Sequence, residues 1–423
     1  MKFAKLIMVG ANGTDHNKEY IMKQVDDNSF DVDYGRVGCS YQHTNYPMHQ
    51  WDKKYNEKIK KGYKDISDLV EKVKADDNDL GLPYDYITNI SVRDLLNKLY
   101  SYTDNYLKEN YIIKSTDVSQ KQIDEAYQII DDIKLAISNH KKDLDIDLLN
   151  SKLIKLFETI PRRMKRVSDH LFNQNIALDI IDQKLNAEID TLKTMSDAVE
   201  LRNKKAKSDK KINTIKDLTE AEQQEKLLND MGLIVEDVNE DDIKLIKKQL
   251  GESKDLYKKA WKITNPESER KFNELIETEP YKDKEIKYFW HGSRNQNWYN
   301  IIQTGLVTNP KGVTITGKMF GYGIYFAPRA KKSIGYTSLE GSYWASGNSN
   351  TGFMALFEVA MGNVLDVYQH EYWCSRTNKD EMWKHNKCNT LYAHKKDGFL
   401  YNDEVIAYDD AQVNIKYIVE LSK

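Results

Sequence analysis

A glycine-rich segment that runs into an aromatic strand and then a short helix constrains the fold of this chain more than any other feature. It spans residues 316–336 and reads TGKMFGYGIYFAPRAKKSIGY. Its first glycines let the backbone bend and approach a ligand closely, and residues 324–326 are aromatic or β-branched, as strands favour. Pro328 suits the first turn of a helix, because its φ is fixed and its missing N–H would have no partner there.

The predicted helix after Pro328 carries a lysine, a serine and a tyrosine along one edge. Ser333 and Tyr336 are three positions apart and Lys332 and Tyr336 are four apart, and both spacings make side chains neighbours on a helix. An ammonium group, a hydroxyl and an aromatic ring on one edge indicate a binding surface for a flat, polar and charged ligand.

Length and charge exclude several classes of protein. A chain of 423 residues is too long for one ordinary core, so we expect two or three domains. The 63 basic and 66 acidic residues give a formal charge of −3, which excludes a uniformly cationic nucleic-acid binder. Three cysteines, an odd number, favour a reducing compartment over a disulfide scaffold. With no secretory signal and no apolar run of about 18 residues, we expect a soluble intracellular protein without a membrane segment.

Residues 1–80 predict a small β-rich unit closed by a helix. Strand-like runs at 5–9, 18–25 and 29–37 are separated by turn sequences, and a lysine-rich segment follows. The lysines alone are more typical of a solvated helix face than of a binding surface.

The last of these strands ends in residues 33–38, DYGRVG, and the lysine-rich segment is followed by Gly62 and Tyr63. This arrangement resembles the WGR domain, although Tyr34 stands where that family has its tryptophan. The resemblance implies binding of DNA strand breaks or ends, with Tyr34 stacking on a sugar and Arg36 meeting a terminal phosphate. A guanidinium has the fork geometry that suits phosphate.

Residues 85–225 predict an all-α bundle. Ser119 and Gln122 form a capping box ahead of an apolar face with a period of 3.6, and Pro161 ends a later helix. Further helices are predicted at 176–192 and 219–231. The region resembles the regulatory helical domain of DNA-dependent poly(ADP-ribose) polymerases, which implies that it covers the NAD+ site until DNA binds.

Residues 226–423 predict a mixed α/β domain with mostly antiparallel strands. Residues 300–304 look helical with Gly305 as the C-cap, and residues 413–421 alternate between apolar and polar side chains, as an amphipathic strand does. The strand-then-GxGxxG pattern that opens a dinucleotide-binding βαβ unit is not present in the sequence, which argues against a Rossmann dehydrogenase.

Three separated segments of this last region carry the candidate site. They begin at His291 (HGSR), at Gly321 (GYGIYFA) and at Tyr401 (YNDEVIAYD). In this order and spacing they resemble the catalytic domain of poly(ADP-ribose) polymerases and its His-Tyr-Glu triad. With the two preceding regions, the resemblance covers nearly the whole chain and implies a multidomain α+β protein divided at 1–80, 85–225 and 226–423.

The resemblance implies a role for each site residue. His291, Tyr325 and Glu404 correspond to the catalytic triad, with His291 on a ribose hydroxyl of NAD+ and Glu404 near the reacting ribose. Tyr325 and Tyr336 enclose the nicotinamide ring. The other residues expected to bind NAD+ are Gly292 and Ser333 at the carboxamide, Lys332 near the reacting ribose, and Ser293, Arg294 and Asn297 on the adenosine side. Met319 is expected beside the acceptor.

The function implied is transfer of ADP-ribose from NAD+, the substrate, to proteins including this one or to DNA termini, switched on by DNA ends. We expect no metal, because Cys374, His385, Cys388 and His394 fit no standard zinc spacing. Two alternatives stay open: a DNA-end-binding scaffold with a weak NAD+ site, and a mono-ADP-ribosyltransferase that DNA does not control. The triad glutamate favours elongation of a polymer, whereas the short segment 394–401 favours short products. We expect a monomer in the absence of DNA, nuclear in a eukaryote and cytoplasmic in a bacterium or phage infection.

Overall fold

The computed structural model describes residues 2–11, 15–69, 87–110, 118–139, 144–178, scattered positions between 180 and 199, residue 228, and residues 232–308, 319–342, 347–371, 373–396 and 400–423. The chain divides into two compact units. The first contains Met1–Asp77 and Asp104–Arg202, and the second contains Asn78–Thr103, Asn203–Lys311 and Ile315–Lys423. The three domain boundaries given above stay predictions, and the helix predicted at 219–231 lies almost wholly outside the described residues.

The first unit begins with a five-stranded antiparallel sheet in the order β4-β3-β2-β1-β5. Side chains that alternate along its inner strands form one apolar core with Trp51 of the helix α1. The strands follow the predicted runs to within two residues at either end. The bounds are β1 Phe3–Gly10, β2 His16–Gln24, β3 Ser29–Arg36, β4 Gln42–Pro47, α1 Trp51–Lys60 and β5 Lys64–Asp65.

Helices follow the sheet. Their bounds are α2 Ile90–Asn110, α3 Gln120–Asn139 and α4 Ile146–Thr159. The capping box at the start of α3 is confirmed: the Ser119 amide donates to Gln122 Oε1 and the Gln122 amide donates to Ser119 Oγ, both at 3.1 Å. The apolar face of α3 is buried, as the period of 3.6 predicts. α4 ends at Thr159, two residues before Pro161, because a proline disfavours helical geometry in the residue before it.

The second unit contains two sheets. A five-stranded antiparallel sheet has the order β6-β7-β14-β10-β8, and a four-stranded sheet has the order β11-β12-β13-β9, in which β11 and β12 are parallel. A mixed α/β fold with mostly antiparallel strands is therefore confirmed. The strands are β6 Ile234–Asp237, β7 Tyr257–Thr264, β8 Ile286–Gly292, β9 Ile324–Phe326, β10 Thr351–Ala360, β11 Val364–Val367, β12 Thr390–Ala393, β13 Glu404–Ala407 and β14 Val413–Ser422.

The helices of the second unit alternate with these strands along the sequence. Their bounds are α5 Glu240–Leu250, α6 Pro266–Ile276, α7 Asn295–Thr304, α8 Ala330–Ile334 and α9 Lys379–Asn386. Gly305 caps α7 with a φ of +76°, as predicted. The prediction that Pro328 opens a helix is wrong by two residues. α8 begins at Ala330, because the Ala327 backbone is still paired with Trp290 in an extended bridge.

The amphipathic pattern predicted for residues 413–421 is only half right. These residues form β14, but its polar side chains do not all face solvent, since Asn414 is 2% and Glu420 4% exposed. Glu420 Oε1 accepts from Lys98 Nζ of α2 at 2.6 Å and from Lys258 Nζ of β7 at 2.9 Å. The alternation that marks a half-exposed strand in sequence here marks a central strand covered on both faces.

Candidate active site

Three strands bring the predicted triad together. His291 lies near the end of β8, Tyr325 in the middle of β9 and Glu404 at the start of β13. β9 pairs with β13, with Tyr325 opposite Ile406, so the tyrosine lies on the strand beside the one that Glu404 opens. β8 meets β9 through two backbone bonds between Trp290 and Ala327, of 3.0 and 2.9 Å. The site therefore lies where the two sheets of the second unit join.

His291 has its ring orientation fixed by a backbone carbonyl. Its Nδ1 lies 2.9 Å from the carbonyl oxygen of Tyr325. A carbonyl can only accept, so Nδ1 carries the proton and donates it, and Nε2 is the nitrogen on the other side of the ring. The rings of Trp298, Phe326 and Phe357 meet the imidazole edge-on at centroid distances of 5.9–6.2 Å. These contacts hold the imidazole plane.

Glu404 forms an ion pair with Lys332 of α8, and both side chains are largely buried, at 15% and 10% exposed. Burial lowers the pKa of the Lys332 ammonium, and Glu404 opposes that effect. The ion pair places the carboxylate beside the helix edge that the sequence indicated as a ligand surface.

The two predicted nicotinamide-stacking tyrosines differ in exposure. Tyr325 is nearly buried, and burial raises the pKa of its hydroxyl far above the ordinary value. Tyr336 is 40% exposed, and burial of its hydroxyl together with Glu404 raises its pKa to about 12. Both rings are therefore neutral phenols at physiological pH. The ring of Tyr336 is the more exposed of the two.

Gly292 and Ser333 are in direct contact. A Cβ at position 292 would lie 1.9 Å from the Ser333 carbonyl oxygen, so no other residue fits there without a backbone shift. Ser333 is 3% exposed, and its Oγ donates to the carbonyl oxygen of Trp290 at 3.0 Å. A serine hydroxyl has one proton, so its predicted bond to the nicotinamide carboxamide requires it to rotate away from Trp290.

The residues expected on the adenosine side surround the start of α7. Asn297 Nδ2 donates to Ser293 Oγ at 2.9 Å, and the Trp298 indole holds the Ser293 carbonyl at 3.2 Å. Arg294 caps this helix and is exposed. Met319, expected beside the acceptor, is 41% exposed, and its carbonyl contacts His370 Nε2 at 3.1 Å.

The candidate DNA-binding residues lie in the first unit and already have partners within the chain. Arg36 Nη2 donates to the carbonyl oxygens of Met164 and Lys165, at 3.1 and 2.5 Å. The Tyr34 ring lies 5.9 Å from that of Tyr20 and 5.8 Å from the Lys58 ammonium.

The sequence indicated no individual role for Lys58. Its ammonium group lies among three tyrosine rings, at 4.2 Å from Tyr20, 5.8 Å from Tyr34 and 5.3 Å from Tyr63. Burial lowers its pKa. The only sequence signal for this arrangement was the lysine run before the Gly-Tyr pair.

The structure gives no sign of a metal centre or a membrane span in the ranges it describes. No group of three or more potential metal ligands occurs there. Cys374 is part of an apolar core, His385 pairs with Glu381, and His394 pairs with Asp366. Of the described helices, none is long and apolar enough to cross a bilayer.

Comparison with known proteins decides the family. Residues 240–423 match the family model of the poly(ADP-ribose) polymerase catalytic domain. A poly(ADP-ribose) polymerase-like protein of Invertebrate iridescent virus 6, 100L, is 30% identical over 171 residues, which cover 39% of this chain and 86% of that protein. The chain belongs to the poly(ADP-ribose) polymerase family. This confirms the expected enzyme class, an ADP-ribosyltransferase that uses NAD+ as its substrate.

Two further relatives match over different extents. Uncharacterized protein 101L of the same virus is 33% identical over 216 residues, 50% of this chain and 83% of that protein. Poly [ADP-ribose] polymerase 1 of Gallus gallus is 27% identical over 332 residues, which cover 72% of this chain but only 30% of the chicken enzyme. The similarity to the chicken enzyme thus reaches beyond the 240–423 range of the catalytic domain.

Proposed function

We propose that this transferase moves ADP-ribose from NAD+ to protein side chains, including its own, and to DNA termini, with His291, Tyr325 and Glu404 as catalytic residues. One observation carries the proposal: β8, β9 and β13 converge so that the imidazole is fixed by the Tyr325 backbone and the Glu404 carboxylate is held by Lys332. The convergence puts a hydrogen-bonding ring, an aromatic wall and a carboxylate at one junction of two sheets.

The bond that breaks joins the nicotinamide nitrogen to C1′ of the ribose. Its electron pair leaves with neutral nicotinamide, and C1′ becomes oxocarbenium-like. The Glu404 carboxylate bonds the 2′-hydroxyl and stabilises the positive charge that develops on the sugar. The acceptor oxygen then attacks C1′, and its proton passes to Glu404 or to solvent. Lys332 orients the carboxylate through one oxygen, Oε1, while the second oxygen serves the sugar.

The nicotinamide ring of NAD+ is cationic before the bond breaks and neutral afterwards. Tyr325 and Tyr336 enclose it with neutral phenol rings, whose faces attract a cation. His291 Nε2 holds a ribose hydroxyl and so fixes the pose of the dinucleotide. Gly292 leaves room for the carboxamide against the backbone, where any side chain would strike the Ser333 carbonyl.

Transfer of labelled ADP-ribose tests this proposal directly. The full chain is incubated with NAD+ labelled in the adenylate, with and without a blunt or nicked duplex, and the label bound to protein and to DNA is measured separately. Label on either acceptor supports the transferase. Absence of label in both conditions refutes it and favours the scaffold alternative.

DNA ends are the proposed activator, bound through residues 1–80 as a WGR-like domain, with the following helices as the restraint on NAD+ access. Support comes from the sequence resemblance, from the sheet and lysine-bearing helix, and from the long match to the chicken polymerase. The proposed mode is that the DNA phosphate replaces the Met164 and Lys165 carbonyls as the hydrogen-bond partner of Arg36.

The contacts of Arg36 with those carbonyls also favour a second candidate, a transferase without DNA control, because they already occupy Arg36. Equal transfer with and without duplex would establish that candidate.

Short products are proposed from the segment between β12 and β13. In this segment of residues 394–403, Lys396 and Leu400 exchange backbone bonds of 3.2 and 3.0 Å. So short a connection between two strands offers little surface to a long polymer beside Glu404. Sizing the product on a denaturing gel should show mono- or oligo-ADP-ribose, whereas a ladder of long chains would contradict this part of the proposal.

A further inference from the structure

Two tyrosine hydroxyls hold both backbone groups of a single residue in the loop before β9. The Phe320 amide donates to Tyr325 Oη at 3.0 Å, and Tyr408 Oη donates to the Phe320 carbonyl oxygen at 2.7 Å. Tyr325 Oη in turn donates a hydrogen bond to the Gly321 carbonyl oxygen at 3.0 Å. Residues 319–323, the Phe320 loop, are therefore clamped by one tyrosine from β9 and another from just after β13.

Tyr408 is itself immobilised by Gln412. The amides of Tyr408 and Asp409 both donate to Gln412 Oε1 at 3.0 Å. The Gln412 side-chain amide donates to the Ala360 carbonyl at 3.1 Å and to Thr390 Oγ1 at 2.9 Å. Gln412 is fully buried and uses all four of its bonding positions, so it ties the ends of β10, β12 and β13 together. The Tyr408 hydroxyl consequently projects from a rigid base.

The Phe320 loop has little room on either side. Gly321 has a φ of +72°, and a Cβ there would lie 2.1 Å from the Thr377 carbonyl oxygen, which also accepts from the Tyr322 amide at 2.7 Å. A Cβ at Gly323 would lie 2.2 Å from Ile406 Cγ2. Packing fixes where the loop runs, and the two hydroxyls fix the direction of its peptide groups.

We propose that Tyr408 is a positioning residue for the transfer: through Phe320 it holds the loop and its exposed Met319 at the acceptor side of C1′, so that an acceptor excludes water. The inference rests on the proposed function. The loop joins Met319 to the Tyr325 wall of the nicotinamide pocket, and Met319, at 41%, is the most exposed residue of the loop. Loosening the loop should admit water to C1′ while the nicotinamide pocket keeps its shape. NAD+ would then be hydrolysed to ADP-ribose and nicotinamide more often per transfer.

The test is Tyr408→Phe, which removes the hydroxyl and keeps the ring. At saturating NAD+, the ratio of protein-bound ADP-ribose to free ADP-ribose should fall at least about fivefold, because a buried carbonyl loses its donor. The KM for NAD+ should stay within about twofold, since Tyr325 and Tyr336 are unchanged. The ratio does not depend on how much of the protein is folded, so a loss of folded protein alone would leave it constant. A ratio equal to that of the wild type overturns the proposal.

Tyr417→Phe is the matched control. Tyr417 is 6% exposed and its hydroxyl donates to Asp242 at 2.6 Å, so the substitution removes a partly buried tyrosine bond between β14 and α5. It should lower the melting temperature and leave the ratio of products unchanged. A similar fall in the ratio for both variants would show that general loosening, and not the clamp, changes the partition.

Amide hydrogen exchange gives a second measurement that needs no activity. Tyr408→Phe should speed exchange at the Phe320 and Tyr322 amides at least about fivefold, and Tyr417→Phe should not. Unchanged exchange at both amides overturns the clamp. If the wild type transferred no ADP-ribose, the proposed function would fail, while exchange would still decide whether Tyr408 holds the loop.

Discussion

In the second unit the candidate catalytic residues have one another as partners, whereas in the first unit the candidate DNA-binding arginine is bonded to a distant part of its own chain. His291 is held by the Tyr325 carbonyl and Glu404 by Lys332, all within one site. Arg36 is held by carbonyls at Met164 and Lys165, more than a hundred residues away. The first arrangement is assembled before substrate arrives. The second has to exchange partners before it can meet a phosphate.

Because of this difference, the effect of a substitution has a different physical meaning in each unit. A change in the second unit acts on chemistry at a preformed site. A change at Arg36 would act on the proposed DNA contact and on an internal contact together, so it needs a control that breaks the internal contact alone.

Glu404→Gln should reduce the rate of ADP-ribose transfer by about 10²–10³, because a neutral amide cannot stabilise the charge that develops on the ribose. Glu358→Gln is its matched control. Glu358 is a partly buried carboxylate in the same unit and is bonded to Tyr288, Asn414 and Lys416. Rates are compared at saturating NAD+. A comparable loss of transfer rate in both variants would mean that Glu404 contributes only to folding. Glu404 would then have no catalytic role.

Glu420→Gln should lower the free energy of unfolding by about 2–3 kcal/mol at pH 7, because two lysines lose a charged partner. Burial alone would raise the pKa of Glu420, but the bonds from Lys98 and Lys258 outweigh it and lower the pKa below its ordinary 4.5. A lowered folded pKa gives stability that is present above pH 4.5 and is lost as the pH falls through the folded pKa.

Urea unfolding at several pH values measures this effect. The difference between wild type and Glu420→Gln should shrink as the pH falls below about 4.5. The control is Glu236→Gln, whose exposed pair with Lys262 spans 3.9 Å and should contribute under about 1 kcal/mol. A difference that stays constant down to pH 3 would show that the charge of Glu420 does not anchor α2 to this sheet.

Arg36→Ala should reduce the stimulation of transfer by a blunt duplex about tenfold and lower the salt dependence of DNA binding by about one counterion. Arg163→Ala is the control, because Arg163 Nη2 donates to the Gly38 carbonyl at 3.2 Å and joins the same segment to the same sheet. DNA stimulation measured at two salt concentrations separates the roles. Equal loss of DNA stimulation in the two variants would mean that Arg36 acts only through its contact within the chain.

Much of the fold follows from local patterns. The strands of the first sheet, the capping box at Ser119 and the glycine cap at Gly305 were all predictable, because each depends on residues close together in sequence. Motif spacing selected the candidate site residues, and the structure brings His291, Tyr325 and Glu404 onto converging strands; their catalytic roles stay predictions.

Contacts between distant segments were not predictable. The burial of Glu420 depends on Lys98, the engagement of Arg36 depends on the carbonyls at 164 and 165, and the clamp on Phe320 depends on Tyr408. Nothing in the sequence around these side chains marks them as unusual. Hydrophobic periodicity indicates which face of an element is buried, but it does not indicate which distant residue that face contacts. The division into two units has the same origin, because α2 begins in one unit and ends in the other.

Stabilisation by nicotinamide tests most directly the claim that the second unit contains a preformed NAD+ pocket, since it needs neither DNA nor an acceptor. Nicotinamide at about 100 times its Kd should stabilise the wild-type chain by about 2.7 kcal/mol, seen as a rise in melting temperature. Tyr336→Ala removes a ring that is 40% exposed and should abolish most of that rise at the same concentration. An unchanged melting temperature in the wild type, or an equal rise in both proteins, would contradict the account.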